Sequence, residues 1–248
     1  MTEKFKRLNI VIPMAGASRR FAQAGEITPK PFIEINGRSM IECVLDNLSY
    51  PSASYILVAK KEHIDQFSNH FEYIKKKYNC IVLSLNNHTD GPLCTCLKAH
   101  ELINNDDPLV FANCDQIIDL RMDDWLAECK KNHADGSILI FNDNNPKWSF
   151  VSINSYGLID DVKEKIVISN NATVGIYFYR KGSYFVNAAL SIIADAEKTN
   201  DEYYVAPTYN YMIKKNMKVL PYQIPIETMH GVGTPEDLKI YLSLEKKL

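Results

Sequence analysis

The residues best suited to chemistry stand early in the chain, in Pro13-Met14-Ala15-Gly16-Ala17-Ser18-Arg19-Arg20-Phe21, directly behind the apolar run Leu8 to Ile12. Small side chains in this loop let backbone N–H groups approach phosphate oxygens, and two arginines put positive charge close behind them. Open α/β sheets bind ligands at the carboxyl ends of their strands, where this loop falls. The dinucleotide fingerprint Gly-x-Gly-x-x-Gly and the pattern ending in Gly-Lys-Ser/Thr are both absent, because Gly16 is the one glycine before Gly25. Taken alone, the loop also reads as a tight turn with two surface arginines. In Thr28-Pro29-Lys30-Pro31-Phe32, two prolines hold the backbone around Lys30 extended and restrict a side chain that is otherwise costly to order. Such a lysine is well placed to meet a phosphate, although the segment alone also suits an exposed connection.

These residues need a frame, and the hydrophobic pattern supplies one. Leu8 to Ile12 suits a buried parallel strand, and Phe32 to Ile35 reads as another short strand. Asn36-Gly37 marks a tight turn, and Ser39 with Glu42 forms a capping box for a helix to about Asn47. A strand is expected at Tyr55 to Ala59. Ile64, Phe67, Phe71, Ile74 and Tyr78 recur at helical spacing, with Lys75-Lys76-Lys77 on the solvated face. Strand Ile81 to Leu85, a helix from about Pro92 to Ile103, and strand Leu109 to Ala112 continue the alternation up to Asn113-Cys114-Asp115. Beyond it, a helix is expected near Asp124 to Asn132. Strands are expected at Ser137 to Phe141, Phe150 to Ile153, Ile166 to Ile168 and Val174 to Tyr179. Helices follow at Tyr184 to Ala196, Tyr203 to Lys214 and Pro235 to Leu244, the last with Thr234 as its cap. The fold class is therefore α/β, a mixed and mainly parallel sheet flanked by helices. With no repeat or linker, residues 1–248 read as one domain.

Composition narrows the partners. The chain has 248 residues, 28 basic and 30 acidic, and a formal charge of −2, which leaves no polyelectrolyte footprint for nucleic acid or an anionic membrane. No apolar stretch is of signal-peptide or membrane-spanning length. The six cysteines include no Cys-x-x-Cys pair, so a reducing, cytoplasmic setting is expected, and Cys94-x-Cys96 reads as packing.

Ile10 to Phe32, with Pro-Met-Ala-Gly, Arg20-Phe21 and Pro29-Lys30-Pro31-Phe32, resembles the signature loop of the sugar-phosphate nucleotidyltransferases, especially the bacterial capsule-biosynthesis branch. Asn113-Cys114-Asp115 resembles that family's metal-binding aspartate, and Glu164-Lys165 its Glu-Lys pair near the acceptor. Ala172-Thr173-Val174-Gly175-Ile176-Tyr177 is similar to its Thr-x-Gly-x-Tyr strand, and Gly233-Thr234-Pro235-Glu236 to its terminal motif. The resemblance implies the nucleotide-diphospho-sugar transferase fold, with a nucleotide-binding half of about 1–115 and an acceptor-binding half of about 116–248. It also implies a reaction in which an acceptor phosphate attacks the α-phosphorus of a nucleoside triphosphate and releases pyrophosphate.

By the same resemblance, Arg20, Lys30 and Asp115 are the catalytic candidates. Arg20 neutralises the leaving pyrophosphate, Lys30 bridges the α-phosphate and the acceptor phosphate, and Asp115 holds Mg²⁺. Met14, Ala15, Gly16, Ala17, Ser18, Arg19, Gly91, Pro92, Thr95 and Asn113 are expected around the nucleotide. Gln116, Trp148, Glu164, Lys165, Thr173, Gly175 and Asn210 are expected around the acceptor. The partners implied are a nucleoside triphosphate, with a lean to CTP, and a phosphorylated sugar or phosphorylated amine or amino acid; a homodimer is a candidate assembly. The sequence also departs from its relatives. Ser18 and Arg19 replace a Gly-Ser/Thr pair, Gly231 stands where many relatives carry a second metal-binding aspartate, and Ile166 replaces a proline. A glycosyltransferase on the related fold and an inactive nucleotide-sugar-binding relative are the competing readings. Product identity separates the first from a nucleotidyltransferase, and binding without turnover marks the second.

Overall fold

The computed structural model describes residues 4–245. In chain order the first elements are β1 (Leu8–Pro13), α1 (Arg19–Gln23), β2 (Glu34–Ile35), β3 (Arg38–Ser39), α2 (Met40–Asn47), β4 (Ala53–Lys60), α3 (Lys61–Gln66), α4 (Ser68–Tyr78) and β5 (Cys80–Leu85). Next come α5 (Pro92–Leu97), α6 (His100–Ile103), β6 (Leu109–Ala112), β7 (Gln116–Ile118), α7 (Met122–Lys131), β8 (Gly136–Asn142), β9 (Ser149–Ile153), β10 (Ile159–Glu164) and β11 (Asn171–Tyr179). The chain ends with α8 (Gly182–Ala194), α9 (Thr208–Lys214), β12 (Val219–Gln223), β13 (Met229–Gly231) and α10 (Pro235–Glu245).

Nine strands form one mixed sheet in the order β10-β9-β11-β6-β1-β4-β5, with β8 on the other edge of β11 and β12 outside β8. β1 runs parallel to both β4 and β6, as the expected crossovers require, and β11 is antiparallel to its neighbours. Both faces are covered. Ile10, Ile12, Leu57 and Val110 pack into one apolar cluster and Val11, Ile56, Val58 and Phe111 into another, so successive residues of each strand serve opposite layers.

The position of the site follows from a fork at β11. β8 pairs along one edge of β11, while the other edge is shared: β6 takes Ile176 to Tyr179 and β9 meets Ala172. Between these contacts the register shifts and Gly175 adopts φ +91°. The end of β6 and the start of β9 therefore diverge, and Asn113-Cys114-Asp115 leaves the sheet into the opening. β13 pairs with β7 and sets Gly231 opposite Gln116, which carries the C-terminal segment to the same place.

Several expectations hold and several are corrected. Asn36 and Gly37 both take positive φ in the hairpin between β2 and β3, and the Ser39–Glu42 capping box forms. The segment from Phe32 is not a strand at its start: Lys30–Phe32 is a 3₁₀ turn and pairing begins at Glu34. The long helix around Ile64 to Tyr78 is broken at Phe67, and that around Pro92 to Ile103 is broken between Leu97 and His100. Ile166 to Ile168 is not a strand; its side chains are 57%, 45% and 36% exposed, and the ladder is made instead by the more polar β10. The helix expected from Tyr203 starts only at Thr208, behind Pro207. β7, β12 and β13 were not foreseen. Among the described residues no helix is long and apolar enough to cross a membrane, and none of the six cysteines forms a disulfide.

Candidate active site

The Lys30 segment is held by its neighbours rather than by regular structure. Pro31 and Phe32 are buried, and the Phe32 ring stacks on Phe67 at 4.2 Å and meets Phe71 edge-on at 5.4 Å. This apolar anchor turns Lys30 the other way, toward the carboxyl end of β6. There its Nζ lies 2.6 Å from Asp115 Oδ2, with both side chains about four-fifths buried. Burial alone would push the Lys30 ammonium down, but the Cys114 sulfur, once ionised in alkali, and the Asp115 carboxylate outweigh it and hold the ammonium well above its ordinary value. Cys114, fully enclosed beside them, is pushed up to about 11 by burial and is a neutral thiol at neutral pH.

Ser18 joins the two loops. It sits at φ +52°, in the left-handed region that favours glycine, and its Oγ accepts a 2.9 Å hydrogen bond from the Lys30 backbone N–H. The hydroxyl compensates for a backbone conformation that costs a non-glycine residue about 1 kcal/mol.

Ala15, Gly16, Ala17, Ser18, Arg19, Lys30, Asn113 and Asp115 line one open cleft of about 650 Å³, together with Gly91, Pro92 and Thr95 from the opposite wall. That wall is rigid. Thr95 Oγ1 lies 2.6 Å from Thr89 Oγ1, and the Leu93 N–H donates to Tyr203 O at 3.0 Å. Gly91 takes φ +111°, and a Cβ there would lie 2.6 Å from Tyr203 O. A second, smaller cavity of about 200 Å³ continues from the cleft across Pro13, Pro92 and Asn113. Its walls include Gln116, Trp148, Glu164, Thr173, Gly175, Tyr177 and Tyr204.

The expected residues thus fall into two adjoining spaces, with exceptions. Met14 is buried in the core beneath the loop, and its backbone N–H donates to Val58 O at 2.9 Å. Arg19, not Arg20, lines the cleft; Arg20 stands near enough to Lys30 for the two positive charges to oppose each other. Lys165 turns out of β10 at φ +56°, and its ammonium lies over the Tyr204 ring at 4.4 Å. Asn210 is engaged elsewhere: it accepts from the Val162 N–H at 2.9 Å and donates to Val162 O at 2.8 Å, clamping β10. Lys60 lines the cleft unannounced by any motif. Its signal was position, as the last residue of a parallel strand adjoining β1.

Among the described residues no three His, Cys, Asp or Glu side chains converge as a metal cage. The donors present are nevertheless hard oxygens. Asp115 is overlaid by Gly233, where a Cβ would collide with its carboxylate. Next to it Gln116 Oε1 is buried without a hydrogen-bond partner. Asp237 Oδ2 lies 3.9 Å, and Gln116 Oε1 4.0 Å, from the point a Cβ on Gly231 would occupy. A carboxylate from α10 thus borders the space where the sequence lacks an aspartate. Such donors fit Mg²⁺ if substrate phosphates and water complete its shell. Sequence reasoning missed Asp237, because an acidic residue three positions after a Thr cap reads as ordinary helix capping.

Comparison with known proteins agrees with this architecture. The chain is 24% identical over 181 residues to the mannose-1-phosphate guanylyltransferase catalytic subunit beta of Dictyostelium discoideum, covering 69% of this chain and 49% of that protein. It is 32% identical over 78 residues to the 2-aminoethylphosphonate cytidylyltransferase of Lancefieldella rimae, covering 32% of this chain and 30% of that protein. These matches thus span about half or less of each curated relative. The nucleoside-diphosphate-sugar pyrophosphorylase structure from Vibrio cholerae RC9 superposes with a TM-score of 0.81 at 22% identity, covering 94% of this chain and 99% of that one, and shares its fold. The model of the MobA-like NTP transferase domain matches residues 10–169, more than half of the chain, and the chain belongs to that family.

Proposed function

We propose that this chain is a nucleotidyltransferase that joins a nucleoside triphosphate to a small phosphorylated acceptor and releases pyrophosphate. The observation that carries this reading is the Lys30–Asp115 pair in the wall of a large cleft that adjoins a small cavity at Asn113. The triphosphate occupies the large cleft, with the backbone of Ala15 to Ser18 against its phosphates and Arg19, Arg20 and Lys60 supplying positive charge. The acceptor occupies the small cavity, and its phosphate meets the α-phosphate beside Lys30.

An oxygen of the acceptor phosphate forms the new bond to the α-phosphorus, and the bond from that phosphorus to the oxygen bridging to the β-phosphate breaks. Pyrophosphate carries the electron pair away. The nucleophile is already anionic, so no general base is required, and the protein contributes positioning and charge neutralisation. As anions enter, the Lys30 ammonium exchanges its carboxylate partner for phosphate oxygens, and Asp115 becomes free to hold a cation. Mg²⁺, held by Asp115 with the Asp237 carboxylate nearby, would neutralise phosphate charge when bound.

Support for CTP comes from the cytidylyltransferase among the relatives, and the guanylyltransferase keeps GTP as the second base to test. The capsule-branch resemblance supports a cytoplasmic role in supplying activated units for surface polysaccharide. The experiment is a screen of nucleoside triphosphates against phosphorylated sugars and amines. Pyrophosphate release that requires nucleotide, metal and acceptor together supports the reading, and its absence with every pair from folded protein refutes it.

A further inference from the structure

The small cavity has an unusual balance of hydrogen-bonding groups. Most of its hydroxyl donors are already engaged: Ser149 donates to Glu164, one of the Thr173 and Tyr177 hydroxyls donates to the other at 3.2 Å, and Tyr204 donates to Glu202 Oε2 at 2.7 Å. Two acceptors are left over. Among the described residues Gln116 Oε1 has no partner, and Glu164 has only the Ser149 hydroxyl. Both residues are more than nine-tenths buried, at 7% and 8% exposure.

Glu164 makes no ion pair among the described residues, although cations are near. Lys165 bears on it electrostatically but is bound to the Tyr204 hydroxyl, and Lys147 lies over the Trp148 ring at 4.5 Å. An enclosed carboxylate without a countercharge is costly. Burial accordingly raises its pKa against the opposing effects of Ser149 and Lys165. Around it stand the rings of Trp148, Tyr177 and Tyr204, whose π faces attract cations. A polyol would bring both donors and acceptors to a wall whose hydroxyls are mostly taken. A group that brings only positive charge and N–H or polarised C–H bonds matches the acceptors and rings that remain.

We propose that the acceptor carries an ammonium group, held in this cavity by Glu164 and the surrounding aromatic rings, with its phosphate directed toward Lys30. This rests on the nucleotidyltransferase reading and narrows its acceptor to a phosphorylated amine or quaternary ammonium alcohol.

The test compares ethanolamine phosphate and choline phosphate with the uncharged dimethylbutyl phosphate isostere of choline phosphate and with hexose 1-phosphates, in pyrophosphate release. Wild-type protein is expected to favour an ammonium acceptor over the isostere by about tenfold or more in kcat/KM, and Glu164→Gln to collapse that ratio toward one through KM. The two ammonium acceptors distinguish a primary from a quaternary group. Equal use of charged and uncharged acceptors, preference for hexose phosphates, or a ratio unmoved by Glu164→Gln overturns the proposal while leaving the nucleotidyltransferase reading intact. If no acceptor yields pyrophosphate, that reading fails, and calorimetric titration with choline phosphate decides the site separately. Binding weakened about tenfold by Glu164→Gln supports the site, and equal binding or none overturns it.

Discussion

The Lys30 ammonium and the Asp115 carboxylate meet at 2.6 Å although 85 residues separate them in the chain. One is brought there by a proline-flanked turn anchored through Phe32, the other by the end of a central strand. Replacing either should lower kcat by about 10²–10³-fold if they act on developing phosphate charge. Lys30→Ala should also cost about 1–3 kcal/mol of stability by leaving a largely buried carboxylate unpaired. Because the Lys30 pKa is raised, its stabilisation is fully present below the ordinary lysine value of 10.5 and is lost only as pH climbs beyond it. Thermal melts at neutral pH and steady-state rates check both effects.

Ser18 combines a strained backbone with a useful hydroxyl, and two variants separate them. Ser18→Ala keeps the positive φ and loses the bond to the Lys30 N–H. Ser18→Gly loses the bond but relieves the strain, so it should melt later than the alanine variant, by about 1 kcal/mol. Both should weaken nucleotide binding, measured calorimetrically. An alanine variant as stable as the glycine one would contradict the strain.

Gly233 has no room for a side chain over Asp115. Gly233→Ala should displace that carboxylate without changing charge, lowering turnover on the order of a hundredfold and raising the metal concentration needed for half-maximal rate. A normal metal titration would show that Asp115 had not moved.

Glu164 makes stability depend on pH with a definite sign. Its pKa lies above the ordinary 4.5, so the folded state holds the proton more tightly than the unfolded state. Stability is therefore greatest below that ordinary value and falls as pH rises through the folded one. Glu164→Gln should melt higher than wild type at neutral pH, and the gap should shrink below about pH 4.5. A difference independent of pH would mean that the carboxylate is not the cause.

Much of this was readable from the chain because strands covered on both faces are written as unbroken apolar runs. β1 and β6 appear as Leu8 to Ile12 and Leu109 to Ala112 with hardly a boundary misplaced. The same rule misled at Ile166 to Ile168, an apolar run with no partner strand, and it overlooked β10, whose buried Ile159, Val162 and Glu164 are interspersed with charged residues. β7 and β13 have three residues each, too short for any period, and β12 contains Pro221, admissible because its described partner is β8 alone. In the site, motif spacing brought out Lys30 and Asp115. It was silent on Lys60 and Asp237, whose places depend on strand order and on a helix returning to β13. It set Asn210 around the acceptor, whereas the Asn210 amide clamps a strand that the pattern did not show.

The central claim is that an acceptor phosphate attacks the α-phosphorus of the nucleotide. Acceptor phosphate labelled with heavy oxygen, incubated with CTP or GTP and Mg²⁺, should give a conjugate whose bridging oxygen carries the label, with unlabelled pyrophosphate in equal amount, read by phosphorus NMR and mass spectrometry. A nucleoside diphosphate as product, or label recovered in the released phosphate, would contradict it.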